Sequence, residues 1–118
     1  MKLAIIGSRS FDNYNLLCKT LSKNKTIQEI VSGGAKGADS LAEKYANDNN
    51  ICKKIFLPKF KTDKKIKYHP SYFHIRNKQI VEYSDFVLAF MEKGGSKGTI
   101  STINYAKKAN KPFRIVYF

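Results

Sequence analysis

The sequence predicts a three-layer α/β sandwich: a mainly parallel sheet of about five strands with helices on both faces. Two observations predict it. Short apolar runs close in polar or glycine-bearing turns, and stretches of helical periodicity alternate with those runs along the whole chain. A third observation sets the scale: 118 residues, 42% of them hydrophobic, suffice for one core and hence one domain spanning 1–118.

The elements follow in order. Leu3 to Ile6 is a continuous apolar run ending at Gly7, as in a parallel strand buried on both faces. Residues Asn13 to Asn24 carry Leu16, Leu17, Thr20 and Leu21 at helical spacing. Ile27 to Val31 is the second strand, closed by Ser32-Gly33-Gly34. Ala38, Leu41, Ala42, Tyr45 and Ala46 then form an i, i+3, i+4, i+7, i+8 stripe, the signature of an amphipathic helix. Ile51 to Leu57 is the third strand, interrupted by Lys53 and Lys54, and the lysine-rich stretch 58–70, with a proline at each end, predicts an exposed loop. Helical spacing resumes from Ser71 to Tyr83 through Ile75, Gln79, Ile80 and Tyr83. Asp85 to Phe90 is the fourth strand, Thr99 to Ala109 the last helix and Phe113 to Tyr117 the fifth strand. Strand and helix alternating at this pace make the expected domain Rossmann-like.

Charge and cysteines restrict the function. Twenty-two Lys and Arg against nine Asp and Glu leave a net charge of +13, a field that attracts nucleotides, nucleic acid or acidic partners. Only Arg9, Arg76 and Arg114 are arginines, so most of that charge is lysine of the kind that also covers ordinary solvated faces. Cys18 and Cys52 have neither a metal spacing nor a disulfide framework, as expected of a reduced, cytoplasmic protein. The N-terminal apolar run is far too short for a signal or membrane segment, and no membrane association is expected. His69 and His74 have no Cys, Asp or His at metal-ligand spacing, so no metal site is expected.

In a parallel sheet of this kind, ligands bind beyond the carboxyl ends of the strands, where the strand order reverses. Three turns would occupy that edge: Gly7-Ser8-Arg9-Ser10-Phe11, Ser32-Gly33-Gly34-Ala35-Lys36-Gly37-Ala38-Asp39, and Gly94-Gly95-Ser96-Lys97-Gly98-Thr99. Each leads into a helix whose free N–H groups and positive dipole end suit an anion. Glycines also serve simply to make short turns, but three such turns on one edge point to a phosphate-bearing ligand. Neither the GxxxxGK[ST] phosphate loop nor the GxGxxG dinucleotide fingerprint occurs, so the ligand would be held by another arrangement.

The blocks GSRSF, VSGGAKGADSLAEKYA, HIRNKQIVEYSDFVLAF and KGGSKGT resemble, in that order, the SLOG superfamily, which includes DNA-processing protein A and the Lonely Guy proteins. The small YspA-like, YpsA-related branch is the part of it most resembled, essentially over the whole chain. The resemblance implies a Rossmann-like fold binding a nucleotide or nucleotide-derived ligand across these turns, with no required cofactor. On that reading Gly94, Gly95, Gly98 and Thr99, with Ser96 and Lys97, cradle a phosphate, and Ser8 and Arg9 point into the same crevice. Arg9 would pair with a phosphate or carboxylate, or else face solvent. Asp39 would accept hydrogen bonds from ribose hydroxyls or from the loop itself, and a carboxylate near a helix N-terminus is stabilising in any case. Arg76 and Asn77 lie at the ligand crevice in the resemblance. The neighbouring aromatics Tyr68, His69, Tyr72, Phe73 and His74 would stack on a base, close the core under the loop, or form a dimer surface.

Three functions remain open on the sequence. The first is a nucleotide-binding module that senses or sequesters a nucleotide-derived signal such as an ADP-ribose derivative. The second is a nucleotide N-glycosidase or phosphoribohydrolase. In Lonely Guy enzymes the glycine motif PGGxGT runs into glutamates. Here Lys93 replaces the proline and Gly98-Thr99-Ile100-Ser101-Thr102 contains no carboxylate, which leaves catalytic residues unassigned. The third is a DNA-binding protein, with nucleic acid held on the basic surface. A homodimer through the exposed faces of the helices 71–83 and 99–109 is a further expectation.

Overall fold

Successive side chains of a strand point to opposite faces of its sheet. In the first strand Leu3 and Ile5 therefore face one way, Ala4 and Ile6 the other, and all four are buried. A strand apolar on both sides needs cover on both sides, which is what the rest of the chain supplies. The computed structural model describes residues 1–22 and 26–118. The elements are β1 (Lys2–Gly7), α1 (Tyr14–Leu21), β2 (Glu29–Ser32), α2 (Ala38–Asp48), β3 (Cys52–Ile55), α3 (Lys59–Thr62), α4 (Ser71–Tyr83), β4 (Phe86–Met91), α5 (Lys97–Lys108) and β5 (Phe113–Tyr117).

The sheet has the order β3-β2-β1-β4-β5, and every neighbouring pair is parallel. The chain builds outward from β1 to β3, returns through α3 and α4, and lays β4 on the other side of β1. Strand order thus reverses between β1 and β4. One core lies between the sheet and α1 and α2, built from Leu3, Ile5, Leu17, Leu21, Ile30, Leu88 and Phe90 with Ala38, Ala42 and Ala46. The three alanines, one per turn, let α2 lie close on the strands. The second core joins Ala4, Ile6, Val31, Val87 and Ala89 to Ile80 and Val81 of α4 and Ile103 and Ala106 of α5. The expected Rossmann-like sandwich of five parallel strands is what forms. No helix among the described residues is long and apolar enough to cross a membrane.

Element ends have local causes. Asn13 caps α1, its Oδ1 accepting the Leu16 N–H at 3.0 Å, so the helix begins at Tyr14. Of the predicted end of this helix, residues 23 and 24 lie outside the described residues. The helices α2 and α5 stop in the same way. Asn50 and Asn110 take φ of +52° and +54°. The next residues, Ile51 and Lys111, donate back to the carbonyls of Ala46 and Ala106, both at 2.9 Å. That is the six-to-one bond of a Schellman ending, with Asn in place of the usual glycine.

Three expectations are corrected. The lysines that interrupt β3 are exposed because β3 is an edge strand, and the strand is confined to Cys52–Ile55. The stretch 58–70 is not all loop: Lys59–Thr62 makes one helical turn, Lys61 and Asp63 donating to the Pro58 and Lys59 carbonyls. In α4 the buried residues are Arg76, Asn77, Ile80 and Val81, while Ile75 is 46% exposed and Gln79 is exposed. The buried stripe begins with polar residues because the first half of α4 overhangs the end of the sheet rather than its apolar face.

Gly37 fixes how the start of α2 meets β1. Its φ is +76°, and a Cβ there would sit 2.4 Å from the Ser8 carbonyl oxygen and 2.5 Å from that of Arg9. Both the conformation and the backbone contact exclude a side chain. Gly37→Ala is expected to lower the unfolding free energy by about 2 kcal/mol or more, measured in urea with an unchanged m-value. A loss below about 0.5 kcal/mol would mean that the two turns are not in this contact.

Candidate functional site

A cleft of about 950 Å³ opens beyond the carboxyl ends of β1 and β4, at the reversal of strand order. The first turn brings Gly7, Ser8, Arg9 and Ser10 to it, and the second brings Gly33, Ala35 and Asp39. Arg76 and Asn77 enter from α4, and Gly95, Ser96, Lys97, Gly98 and Thr99 from the turn before α5. Residues far apart in sequence are joined here by direct bonds. Ser8 Oγ accepts the Glu92 N–H at 3.3 Å, and the Ser10 hydroxyl donates to the Glu92 carboxylate.

Five residues of the predicted set do not line the cleft. Phe11 is 1% exposed and stacks on Phe90 with ring centroids 4.5 Å apart, because the chain has already turned down onto the α1 face. Ser32 is fully buried, its hydroxyl accepting from the Gly34 N–H at 3.2 Å, so it shapes the turn from below. Gly34 packs against Leu57 and Ile55, Gly37 against the first turn, and Gly94 stands in open space outside the cleft. In the other direction, Lys36, Lys61, Pro70, Glu92 and Thr102 line the cleft without having been assigned to it. Thr102 was detectable: it lies four residues, one helical turn, after Gly98, to whose carbonyl it donates at 3.0 Å. Lys61 gives no sequence signal that separates it from its neighbours. The aromatic cluster divides, with Phe73 and His74 at the cleft and Tyr68 and Tyr72 packed around Phe60.

The electrostatic centre is Arg76. Its guanidinium donates from Nε to Asn77 Oδ1 at 2.9 Å and from Nη1 to the Gly33 carbonyl at 2.7 Å. Those bonds use two of the five N–H groups, and among the described residues the other three have no acceptor. Only 9% of Arg76 is exposed, with the Phe73 ring 5.7 Å from its guanidinium carbon. Burial lowers its pKa, Asp39 opposes that shift, and the nearby charge of Arg9 adds to it. A Cβ on Gly33 would lie 2.6 Å from Arg76 Nη1 and 2.9 Å from Asp39 Oδ2, so only glycine lets the two charged groups approach from either side of the turn.

The two helix N-termini at the cleft differ. At α2 the Ala38 N–H is given to the Ser8 carbonyl at 3.4 Å, and the Asp39 carboxylate accepts the Ala35 N–H at 3.2 Å. At α5 the first N–H bonded within the helix is that of Ile100, to the Ser96 carbonyl at 2.9 Å, which leaves the amides of Lys97, Gly98 and Thr99 ahead of it. A Cβ on Gly98 would meet nothing within 4 Å, and the hydroxyl of the buried Thr99 has no partner among the described residues. The cleft lining carries five Lys or Arg (Arg9, Lys36, Lys61, Arg76, Lys97) and two carboxylates (Asp39, Glu92). This is a site that can receive an anion. Among the described residues no three His, Cys, Asp or Glu side chains are grouped to hold a metal.

A five-stranded parallel sheet with helices on both faces and a cationic cleft at its switch point defines a Rossmann-like domain. More particularly, the chain belongs to the YspA, cpYpsA-related SLOG family (YAcAr), whose model matches residues 1–62. Among solved structures it is similar to DNA processing protein A (DprA) from Streptococcus pneumoniae, with a TM-score of 0.79 and 19% identity. That similarity covers 97% of this chain and 49% of the DprA chain, so this chain spans about half of that one. A search of curated proteins gave no match.

Asp39 supplies a test of the site's electrostatics. Burial raises its pKa to about 6, against the opposing pull of the Ala35 N–H and of Arg76. Between about pH 4 and pH 6 the folded protein therefore holds a proton that the unfolded chain has released. Stability contributed by this group is present below that window and falls as pH rises through it. The shift is worth on the order of 3 kcal/mol. The unfolding free energy of wild type minus that of Asp39→Asn is expected to fall between pH 4 and pH 7. A difference that stays flat with pH would place Asp39 in the ordinary carboxylate range.

Proposed function

We propose that the cleft binds a nucleotide or nucleotide-derived ligand of the ADP-ribose type, and that the chain senses or sequesters it. The observation that carries this reading is the buried Arg76 guanidinium, with three N–H groups unspent, facing the same cleft as the open N-terminus of α5. Burying a charged group costs free energy that is recovered when its donors find acceptors. A diphosphate supplies oxygens to the guanidinium and to the α5 amides together. Family membership supports a nucleotide-related role in general; the matched residues, 1–62, hold the first two turns of the cleft.

Turnover is the less favoured alternative. No carboxylate follows Gly98-Thr99, Glu92 is engaged by Ser10, and Asp39 is committed to Ala35. A general acid or base needs a free carboxyl within reach of the scissile bond.

Gly98 separates binding from folding. Alanine fits the free protein there, and it favours the helix by about 0.5–1 kcal/mol, but it occupies the space a phosphate would take. Titration calorimetry and thermal shift with ADP-ribose, nucleoside mono- and diphosphates at low and physiological salt test the proposal. Gly98→Ala is expected to keep or raise the melting temperature without ligand and to weaken binding at least tenfold. Arg76→Met should weaken it by a similar factor. Loss of the response in neither variant, or no response to any nucleotide, would sink the proposal. Chromatography of the incubated ligand then reads binding against turnover.

A further inference from the structure

The stretch between β3 and α4 carries charge and aromatic surface of which the cleft takes only Lys61 and Pro70. Lys59, Lys61, Lys64, Lys65 and Lys67 are all exposed, with Asp63 the one acid among them (five minus one, +4 over residues 59–67). Asp63 is turned inward on the backbone, its carboxylate accepting the Lys65 N–H at 3.0 Å. The ion pairs among the described residues lie elsewhere, at Lys44–Asp48 and Lys78–Glu82, so the strap's cations are left to solvent.

Tyr68 stands at the end of this run. It is 65% exposed, yet its ring is held: Phe60 meets it edge-to-face at 5.0 Å and Phe73 at 6.1 Å. Phe60 is itself braced by Phe73 at 5.3 Å and Tyr72 at 6.2 Å. The backbone around it is ordered by its own bonds, Ile66 to the Asp63 carbonyl at 3.1 Å and Ser71 to His69 Nδ1 at 3.1 Å. The result is a fixed aromatic plate, open to water and bordered by unpaired cations.

We propose that this strap binds single-stranded nucleic acid, with Tyr68 stacking on a base and Lys59, Lys64, Lys65 and Lys67 taking the flanking phosphates. An unpaired strand offers base faces and a phosphate backbone together. A duplex hides its base faces, and an acidic peptide has none. Stacking and charge attraction both tolerate any sequence, so the surface reads the polymer and not its bases. The site borders the nucleotide cleft through Lys61, Pro70 and Phe73, but Tyr68, Lys59, Lys64, Lys65 and Lys67 do not line the cleft.

The test is fluorescence anisotropy of a labelled fifteen-residue oligo-dT against NaCl concentration, with a duplex of equal length beside it. Four engaged lysines predict a slope of log affinity on log salt of about −3. Tyr68→Ala should raise Kd about 5- to 140-fold with the slope unchanged, and Tyr68→Phe should bind as wild type does. Lys64→Ala with Lys67→Ala should make the slope shallower by about 1.4. Circular dichroism and melting temperature check that each variant is folded. No binding at 50 mM salt, wild-type affinity in Tyr68→Ala, or equal affinity for the duplex would each overturn the proposal, and none of these outcomes bears on nucleotide binding measured with Gly98→Ala.

Discussion

The bond from Arg76 Nη1 to the Gly33 carbonyl, 2.7 Å long, joins the two layers of helices across the end of the sheet. Arg76 belongs to α4 on one face, and the Gly33 turn feeds α2 on the other. To make the bond, the arginine must be drawn into the fold until only 9% of it is exposed, and the residue beneath it must have no side chain. It also brings a cation toward Asp39, whose carboxylate is itself nearly buried. Neither charge would be tolerated there alone. Their attraction, together with the bonds to Gly33, Asn77 and Ala35, offsets part of the desolvation of each. The remaining cost shows as the raised pKa of Asp39 and the lowered pKa of Arg76.

The same arrangement decides which turn is open. The second and third turns are close to one another in sequence, Gly33-Gly34-Ala35-Lys36-Gly37-Ala38-Asp39 against Gly94-Gly95-Ser96-Lys97-Gly98-Thr99-Ile100. Five residues into the pattern each has a glycine, but the glycines do different work. Gly37 is pressed on the carbonyls of Ser8 and Arg9, whereas a side chain on Gly98 would meet nothing. Two residues later stand Asp39 and Ile100. The carboxylate of Asp39 turns back onto its own turn, while Ile100 has no polar group to offer the amides of the α5 N-terminus. One helix start of the pair is closed by its own chain and the other keeps its amides open to the cleft.

The sequence reading gave the phosphate cradle to the third turn, but that Gly37 presses on the first turn while Gly98 stands open was beyond it. What was legible were features set by local spacing. The apolar run of Leu3 to Ile6 and the alanine stripe of α2 each follow from one periodicity and one burial requirement. The turns' place on one edge follows from the parallel connections. Less legible was anything set by contact across the fold. Phe11 looks like a turn residue until Phe90 and Phe118 are placed beside it. The face of α4 was misplaced by one residue because an apolar Ile75 outranks Arg76 in any hydrophobic pattern. Arg76 is buried for its hydrogen bonds, a reason that periodicity does not record.

Charge acts on two scales in this molecule, and they should be kept apart. The net +13 is spread over exposed lysines and draws anions of every kind toward the surface. At physiological ionic strength it is screened over about 8 Å, so it raises encounter rates without selecting a partner. The cleft's excess of cations is smaller, five against two, but at Arg76 it is desolvated and fixed in direction by two bonds. A donor held in a low-dielectric setting loses little freedom when an acceptor arrives, and salt shields it poorly. On the proposed reading, selectivity resides in the few oriented N–H groups around Arg76 and the start of α5, while the lysine surface sets how fast and how salt-dependently an anion reaches them.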